Sequence, residues 1–204
     1  MLKRTSIEHI NNVLEKNLDW KILDIGCGYR AHKNASVIAD IKDFKDFYKE
    51  KEFVQIQEKN LPFKDKEFDF VIASHVAEHV EDFEFFFNEI QRISSKGYIE
   101  LPSRMGDNLV FENINDHIWW FYFDDIKNEL VVSKKNQLID PFITVSTAKI
   151  FEKIFRESLV IEVAWEEKID YKIDNQIRQE HFKKISFLKL FRKYLSKKIR
   201  TVFK

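Results

Sequence analysis

The sequence predicts an α/β protein built on a mainly parallel sheet. Three observations lead there. Short apolar runs recur at 21–25 (KILDI), 36–41 (SVIADI), 53–57 (FVQIQ), 68–74 (FDFVIAS) and 97–102 (GYIELP), as strands buried on both faces do. Between the fourth and fifth runs, Val80, Phe83, Phe87, Ile90 and Ile93 recur at helical spacing, so strands alternate with a crossover helix. The first run ends in Gly26-Cys27-Gly28, which takes two of the chain's four glycines. A strand that runs into Gly-x-Gly at the carboxyl edge of such a sheet lets backbone approach a ligand with no side chain in the way.

The elements follow in order. Residues 6–17 read as an amphipathic helix with Ser6 as its cap and Ile7, Ile10, Val13 and Leu14 on one face,. Only residues 29–36 separate the glycine turn from the second strand, too few for a full crossover helix, so a shortened first crossover is expected. After Pro102, residues 116–135 read as an inserted β-hairpin turning at Asp124–Asn128,. Ser146 is placed to cap a helix over 146–158, and 159–165 and 168–173 read as two more strands,.

Composition sets the bounds. With 204 residues, 44% hydrophobic and 33% charged, the chain can bury a sizeable core. The lone Cys27 excludes an internal disulfide, no run approaches the roughly 18 apolar residues of a membrane span, and the first twenty residues lack the apolar stretch of a signal peptide. A cytoplasmic location is the expectation. The formal charge of zero hides a split: from Arg178 to Lys204 there are ten Lys or Arg against one acid, Glu180, which makes that segment +9 and residues 1–177 −9. The chain is therefore divided into a domain over 1–177 and a basic tail over 178–204.

At the glycine turn the chemistry narrows. Asp24 stands two residues before Gly26, and the second strand ends in Asp40, where an acid can accept both hydroxyls of a ribose. An adenosine-type cofactor is favoured. The dinucleotide pattern G-x-G-x-x-G fails at its third glycine, where Ala31 stands, and lacks the helix whose N-terminus would hold a pyrophosphate,. A phosphate-binding loop with G-K-[ST] is absent,.

Together, "ILDIGCG", "VIADI", "NLPFKDKEFDFVIASHVAEHVED" and "RISSKGYIELPS" resemble the class I S-adenosylmethionine-dependent methyltransferases, in particular the broad subfamily acting on small molecules. The resemblance covers about residues 20–103. It implies a Rossmann-like sheet with S-adenosyl-L-methionine across the carboxyl ends of the first four strands. It also implies roles for individual residues. Asp24, Gly26 and Gly28 match the glycine loop beside the methionine part, and Asp40 matches the ribose-binding acid. Gln57, or Glu58 in its place, falls where relatives bind the adenine amine, and Leu61 matches the apolar residue beside adenine. Ser74 and His75 match the turn beside the sulfonium. Arg30 departs from the family pattern by standing where a third glycine is usual; it either pairs with the methionine carboxylate or faces solvent.

Methyl transfer needs alignment of nucleophile, methyl and sulfur, and a base only where the nucleophile must lose a proton. His75, His79 and His117 are the obvious bases, and His75 and His117 are taken as the candidate catalytic residues. His117 lines an acceptor pocket or packs on Trp119; Trp119, Trp120, Phe121 and Tyr122 stack on a planar acceptor or simply pack the hairpin. His75 and His79 lie four apart and would mimic a zinc pair on a helix, but no cysteine or acid signature completes the set; Glu78 and His79 are expected to start the fourth helix. No metal is expected. The function expected is S-adenosylmethionine-dependent methyl transfer to a small-molecule acceptor such as a sugar or surface-glycan precursor; the alternative is a non-catalytic module with a degenerate methyltransferase fold, suggested by Arg30 and Gln57. No specific nucleic acid is expected, because the body is acidic and "ASHV" stands where base-modifying relatives carry their own motif. In the tail, Ile185, Leu188, Phe191, Leu195, Ile199 and Val202 share one helical face and Lys189, Lys193, Lys197, Arg200 and Lys204 the opposite one. Such a helix either binds an anionic membrane surface at the inner face or packs on the acidic body.

Overall fold

The computed structural model describes residues 1–57, 60–174 and 183–202. Along the chain run β1 (Leu2–Arg4), α1 (Ile7–Lys16), β2 (Ile22–Ile25), β3 (Val37–Asp40), β4 (Glu52–Gln55), β5 (Phe70–Ser74), α2 (Phe83–Ile93) and β6 (Lys96–Pro102). Then come α3 (Arg104–Leu109), α4 (Asn113–Asp116), β7 (Trp119–Asp124), β8 (Glu129–Lys134), α5 (Val145–Leu159), β9 (Val160–Glu166), β10 (Tyr171–Ile173) and α6 (Phe187–Val202).

All five apolar runs are strands of one seven-stranded sheet, ordered β1-β9-β6-β5-β2-β3-β4. Neighbours from β6 to β4 are parallel, while β9 and β1 add an antiparallel edge. The order reverses between β2 and β5: from β2 the chain winds outward through β3 and β4, then returns to β5 and winds the other way. Ligands of open α/β sheets bind at such a reversal, beyond the strands' carboxyl ends. Gly26 follows β2 there and His75 follows β5.

Alternation along the strands sorts two faces. Ile22, Phe70, Ile72 and Tyr98 meet Ile10 and Leu14 of α1, whose Ser6 hydroxyl caps the helix by accepting from the His9 N–H. Leu23, Val71, Ala73, Ile99 and Val163 face the larger core, where Phe83, Phe86, Phe87, Ile90 and Ile93 of α2 pack with Phe121 and Val132 of the hairpin. Each such side chain contributes about 1.5–3 kcal/mol on burial, so α2 anchors the loop that precedes it. The hairpin pairs as expected and is widened by β10, parallel to β8.

Three expectations need correction. The α5 cap is Thr144, which accepts from the Thr147 N–H, so the helix starts one residue before Ser146. Glu78 and His79 do not begin a helix; they sit in a turn, and α2 starts at Phe83 under the Asp82 cap. β1, α3 and α4 were not expected at all; each is six residues or fewer, too short to show a period.

The first crossover is shorter than expected, for residues 26–36 form no helix. Aromatic packing stands in for it. Tyr29 meets Phe44 and Phe47 edge-on at 4.7 and 5.1 Å. Lys51 Nζ donates to the carbonyls of His32, Lys33 and Ala35.

The expected boundary between domain and tail falls at residues outside those described, as do Glu58, Arg178, Glu180 and Lys204. Of the tail, Phe187 touches the body through Phe142, 5.7 Å between rings. Leu188, Phe191, Leu195 and Ile199 of α6 are exposed.

Candidate active site

The turn after β2 is built around two left-handed residues, Gly26 at φ 70° and Gly28 at φ 54°. A Cβ on Gly26 would stand 2.6 Å from Val76 Cγ2, so this glycine answers both a backbone angle and a close approach. The turn is stitched to what lies around it. Gly26 N–H donates to Ala39 O at 2.7 Å. Tyr48 Oη donates to Gly28 O at 2.8 Å and accepts from Ala31 N–H at 3.0 Å. Asp40 accepts from Gly28 N–H at 3.0 Å on one oxygen and from Lys42 N–H at 2.9 Å on the other. Each oxygen keeps a lone pair for a ligand hydroxyl.

Beyond this turn lies a cavity of about 660 Å³. Of the residues expected to hold the cofactor, Gly26, Gly28, Asp40, Leu61 and His75 line it, together with Val76, Ile56 and Phe86, which sequence reasoning missed. Asp24, Arg30, Gln57 and Ser74 are not among its lining residues. Arg30 and Gln57 are exposed; strand alternation at the end of β4 turns Ile56 inward and Gln57 out. Ser74 donates to Glu100 at 3.1 Å instead.

Asp24 lies beneath the turn. Its Oδ2 accepts from His32 N–H at 2.6 Å, while its buried Oδ1 has no partner. Burial pushes its carboxyl up to about 7, with the His32 bond and Lys51 pulling the other way. Burial likewise pushes the Cys27 thiol up to about 12, with Asp24 adding to the effect, so this cysteine offers no thiolate at neutral pH.

His75 adopts φ 56°, the uncommon left-handed backbone that concentrates at functional turns. Nδ1 lies 3.0 Å from Glu78 and Nε2 3.1 Å from Glu100. Burial pulls its imidazolium down, but hydrogen bonds to Glu100 and Glu78 outweigh that and hold it at about 10. Burial raises the Glu100 carboxyl, yet His75, Tyr98 and Arg156 bring it down to about 2. With both ring nitrogens donating, His75 has no lone pair for a proton. Both nitrogens turned to carboxylates at the cavity wall count against its reading as a base.

A second cavity, of about 320 Å³, shares His75 and His79 with the first and continues between α3, α4 and α5 to His117, Glu112, Asp116 and Glu152. His117 is buried, with Nδ1 2.5 Å from Asp107 Oδ1. Asp107 also accepts from Trp120 Nε1 at 2.6 Å and pairs with the buried Lys135 at 3.1 Å. Burial raises the Asp107 carboxyl, but His117 and Lys135 bring it below the usual range. The pair fixes the tautomer: Nδ1 carries the proton and Nε2 the lone pair. Sequence reasoning missed Asp107, which nothing in a six-residue helix marks out.

The aromatic hairpin does not supply an acceptor platform. Trp120 and Phe121 are buried, Trp119 packs edge-on against Phe83 at 4.9 Å, and none of the four aromatics lines either cavity. His117 packs on His79, 4.5 Å between ring centroids, rather than on Trp119. His75 and His79 do not lie on a helix, and the zinc-like pair set aside from the sequence does not form; His79 gathers with Glu78 and His117.

Residues 23–99 match a family model described as a methyltransferase domain. An uncharacterized protein of Methanocaldococcus jannaschii is 34% identical over 113 residues, 49% of this chain and 48% of that protein. The chain thus spans about half the length of the curated relative it matches. Among solved structures, a protein from Pyrococcus horikoshii OT3 is 17% identical, with 79% of this chain and 89% of that one covered at a TM-score of 0.45. An S-adenosylmethionine-dependent methyltransferase from Archaeoglobus fulgidus is 16% identical, with 79% and 94% covered at a TM-score of 0.42.

Proposed function

We propose that residues 23–99, which match a methyltransferase-domain model, form a class I S-adenosylmethionine-dependent methyltransferase domain, and that the chain methylates a small polyhydroxylated acceptor, such as a sugar or surface-glycan precursor. One observation carries this reading. The cavity behind the glycine turn and the cavity below α5 meet at His75 and His79, as a methyl donor and its acceptor must.

The first cavity suits S-adenosylmethionine by its own features: a bare glycine turn that a Cβ would obstruct, an acid at the end of β3, and apolar Leu61, Ile56 and Phe86. Asp40 would hold the ribose hydroxyls, Leu61 and its neighbours the adenine, and Gly26 and Gly28 the methionine part. When bound, the cofactor supplies a methyl carbon made electrophilic by its sulfonium. In the second cavity Glu112, Asp116 and Glu152 offer acceptors for several hydroxyls and Lys149 a donor. His117, held through Nδ1 by Asp107, takes the proton of the attacking hydroxyl on Nε2, and Lys135 balances the charge of Asp107. A labelled-methyl assay against free and nucleotide-linked sugars tests the reading; binding of S-adenosylmethionine with no transfer to any hydroxylated acceptor would overturn it.

We further propose that α6 places the enzyme peripherally on an anionic membrane surface, at the inner face. No helix among the described residues is long and apolar enough to cross a membrane, but α6 exposes Leu188, Phe191, Leu195 and Ile199 beside Lys189, Arg192, Lys193 and Lys197. Each basic residue near such a surface adds about 1 kcal/mol. Co-sedimentation with vesicles is expected to need anionic lipid, weaken with salt and vanish without residues 178–204. Equal sedimentation of the truncated chain would refute this.

A further inference from the structure

We infer that Glu78, His79 and His117 bind a divalent transition-metal cation where the two cavities meet. One ligand atom from each lies within 4.8 Å of the other two. Both histidines are already oriented as ligands. His117 Nδ1 donates to Asp107 and His79 Nδ1 donates to Asp116 O at 2.9 Å. Each Nε2 is therefore left with its lone pair, as in carboxylate- or carbonyl-backed metal histidines. The third member supplies an independent sign. Glu78 is fully buried; its Oε1 meets His75 at 3.0 Å, but its buried Oε2 has no partner. An unpaired buried carboxylate oxygen is costly, and a cation beside it removes that cost.

Two imidazoles and one carboxylate are the donor set of first-row divalent ions, with open positions left for a ligand. Bonds of about 2.0–2.2 Å place donor atoms roughly 3 Å apart, so the set closes by a small rotation of the exposed His79. Since His79 lines both cavities, a cation there stands between donor and acceptor. Its catalytic role rests on the methyl-transfer reading. With Nε2 of His117 engaged, the cation takes over activation of the acceptor. The bound hydroxyl gives its proton to water, its oxygen forms the new bond to the methyl carbon, and the electron pair of the breaking bond returns to sulfur.

The test titrates Co²⁺ into the full-length chain after chelator treatment, followed by calorimetry and visible absorption. One equivalent is expected to bind and to develop d–d bands. His79→Ala and His117→Ala should each weaken binding at least tenfold, and His9→Ala, on the exposed face of α1, should leave it unchanged. His117→Ala leaves Asp107 without a partner, so circular dichroism accompanies it; His79→Ala removes an exposed ring and keeps the test decisive. No saturable binding, or unchanged affinity in His79→Ala, overturns the site. Co²⁺ binding in a chain that fails to bind S-adenosylmethionine supports the site and overturns only the methyl-transfer reading.

Discussion

Replacing Asp24 by Asn probes the acid beneath the ligand turn, and its effect is expected to grow with pH. Burial lifts the Asp24 carboxyl from 3.8 to about 7, a displacement of about three pH units, or about 4 kcal/mol. In the unfolded chain the group ionises near its ordinary value. Between about pH 4 and pH 7 the folded protein therefore holds a proton that the unfolded chain has released, and stability falls as pH rises through that window. Above it, the whole ~4 kcal/mol counts against the fold. Asp24→Asn removes the charge, keeps an oxygen for the His32 N–H, and places an amide donor where Oδ1 has no partner. An unsatisfied buried donor costs about 1–3 kcal/mol. At pH 4 the protonated acid already buries an unpartnered O–H at that place, so urea unfolding there should find variant and parent within about 1 kcal/mol of each other. At pH 8 it should be more stable, by about 1–3 kcal/mol. A difference that does not vary with pH, or a variant less stable at pH 8, would refute the reasoning that Asp24 is a desolvated acid tolerated at a cost.

Asp40→Ala should weaken S-adenosylmethionine binding by about 1–3 kcal/mol and also lower stability by about 1–3 kcal/mol, because Gly28 and Lys42 lose their acceptor; calorimetry and thermal melts read the two effects, and unchanged affinity would show the ribose lies elsewhere. Gly26→Val should abolish cofactor binding and lower the melting temperature, since it meets Val76 as well as a left-handed backbone that costs about 1–2 kcal/mol. Gly28→Ala, with nothing within 4 Å of its Cβ, should show the backbone cost alone, and equal binding losses would deny the steric argument. His75 is held at about 10 in the fold, so its ion pairs stabilise fully below about pH 6.5 and are lost as pH rises through 10. Its side chain is 39% accessible, which reduces the gain through solvent screening. His75→Gln should flatten alkaline unfolding curves above pH 7, and a parental slope retained there would place that titration on another group.

How far the sequence could be read depended on whether a signal was local. The buried strands, the helix from Phe83 and the glycine turn each carry their pattern within a dozen residues, so the sheet and the ligand turn were legible. Gln57 falls one residue outside the cavity lining, because β4 ends at Gln55 and alternation gives Ile56 the inward place. The aromatic run from Trp119 to Tyr122 could not be divided by composition into core and platform; partners as remote as Phe83 and Asp107 decide it. The pairing of His117 with Asp107 and the meeting of Glu78, His79 and His117 need α3 and the β7 entrance folded over the turn after β5, contacts that leave no period in the chain.

Buried polar groups in a core are normally paired. Asp24 and Glu78 each keep a buried carboxylate oxygen without a partner, one below the turn after β2 and the other in the turn after β5. These two strands flank the reversal of the sheet order. Stability alone would have replaced both acids, since each sets an unpaired oxygen in a dry interior. Local rules broken side by side mark sites kept for function. The two acids therefore point to the same place as the geometry does, the turns after β2 and β5 that flank the reversal of the sheet order.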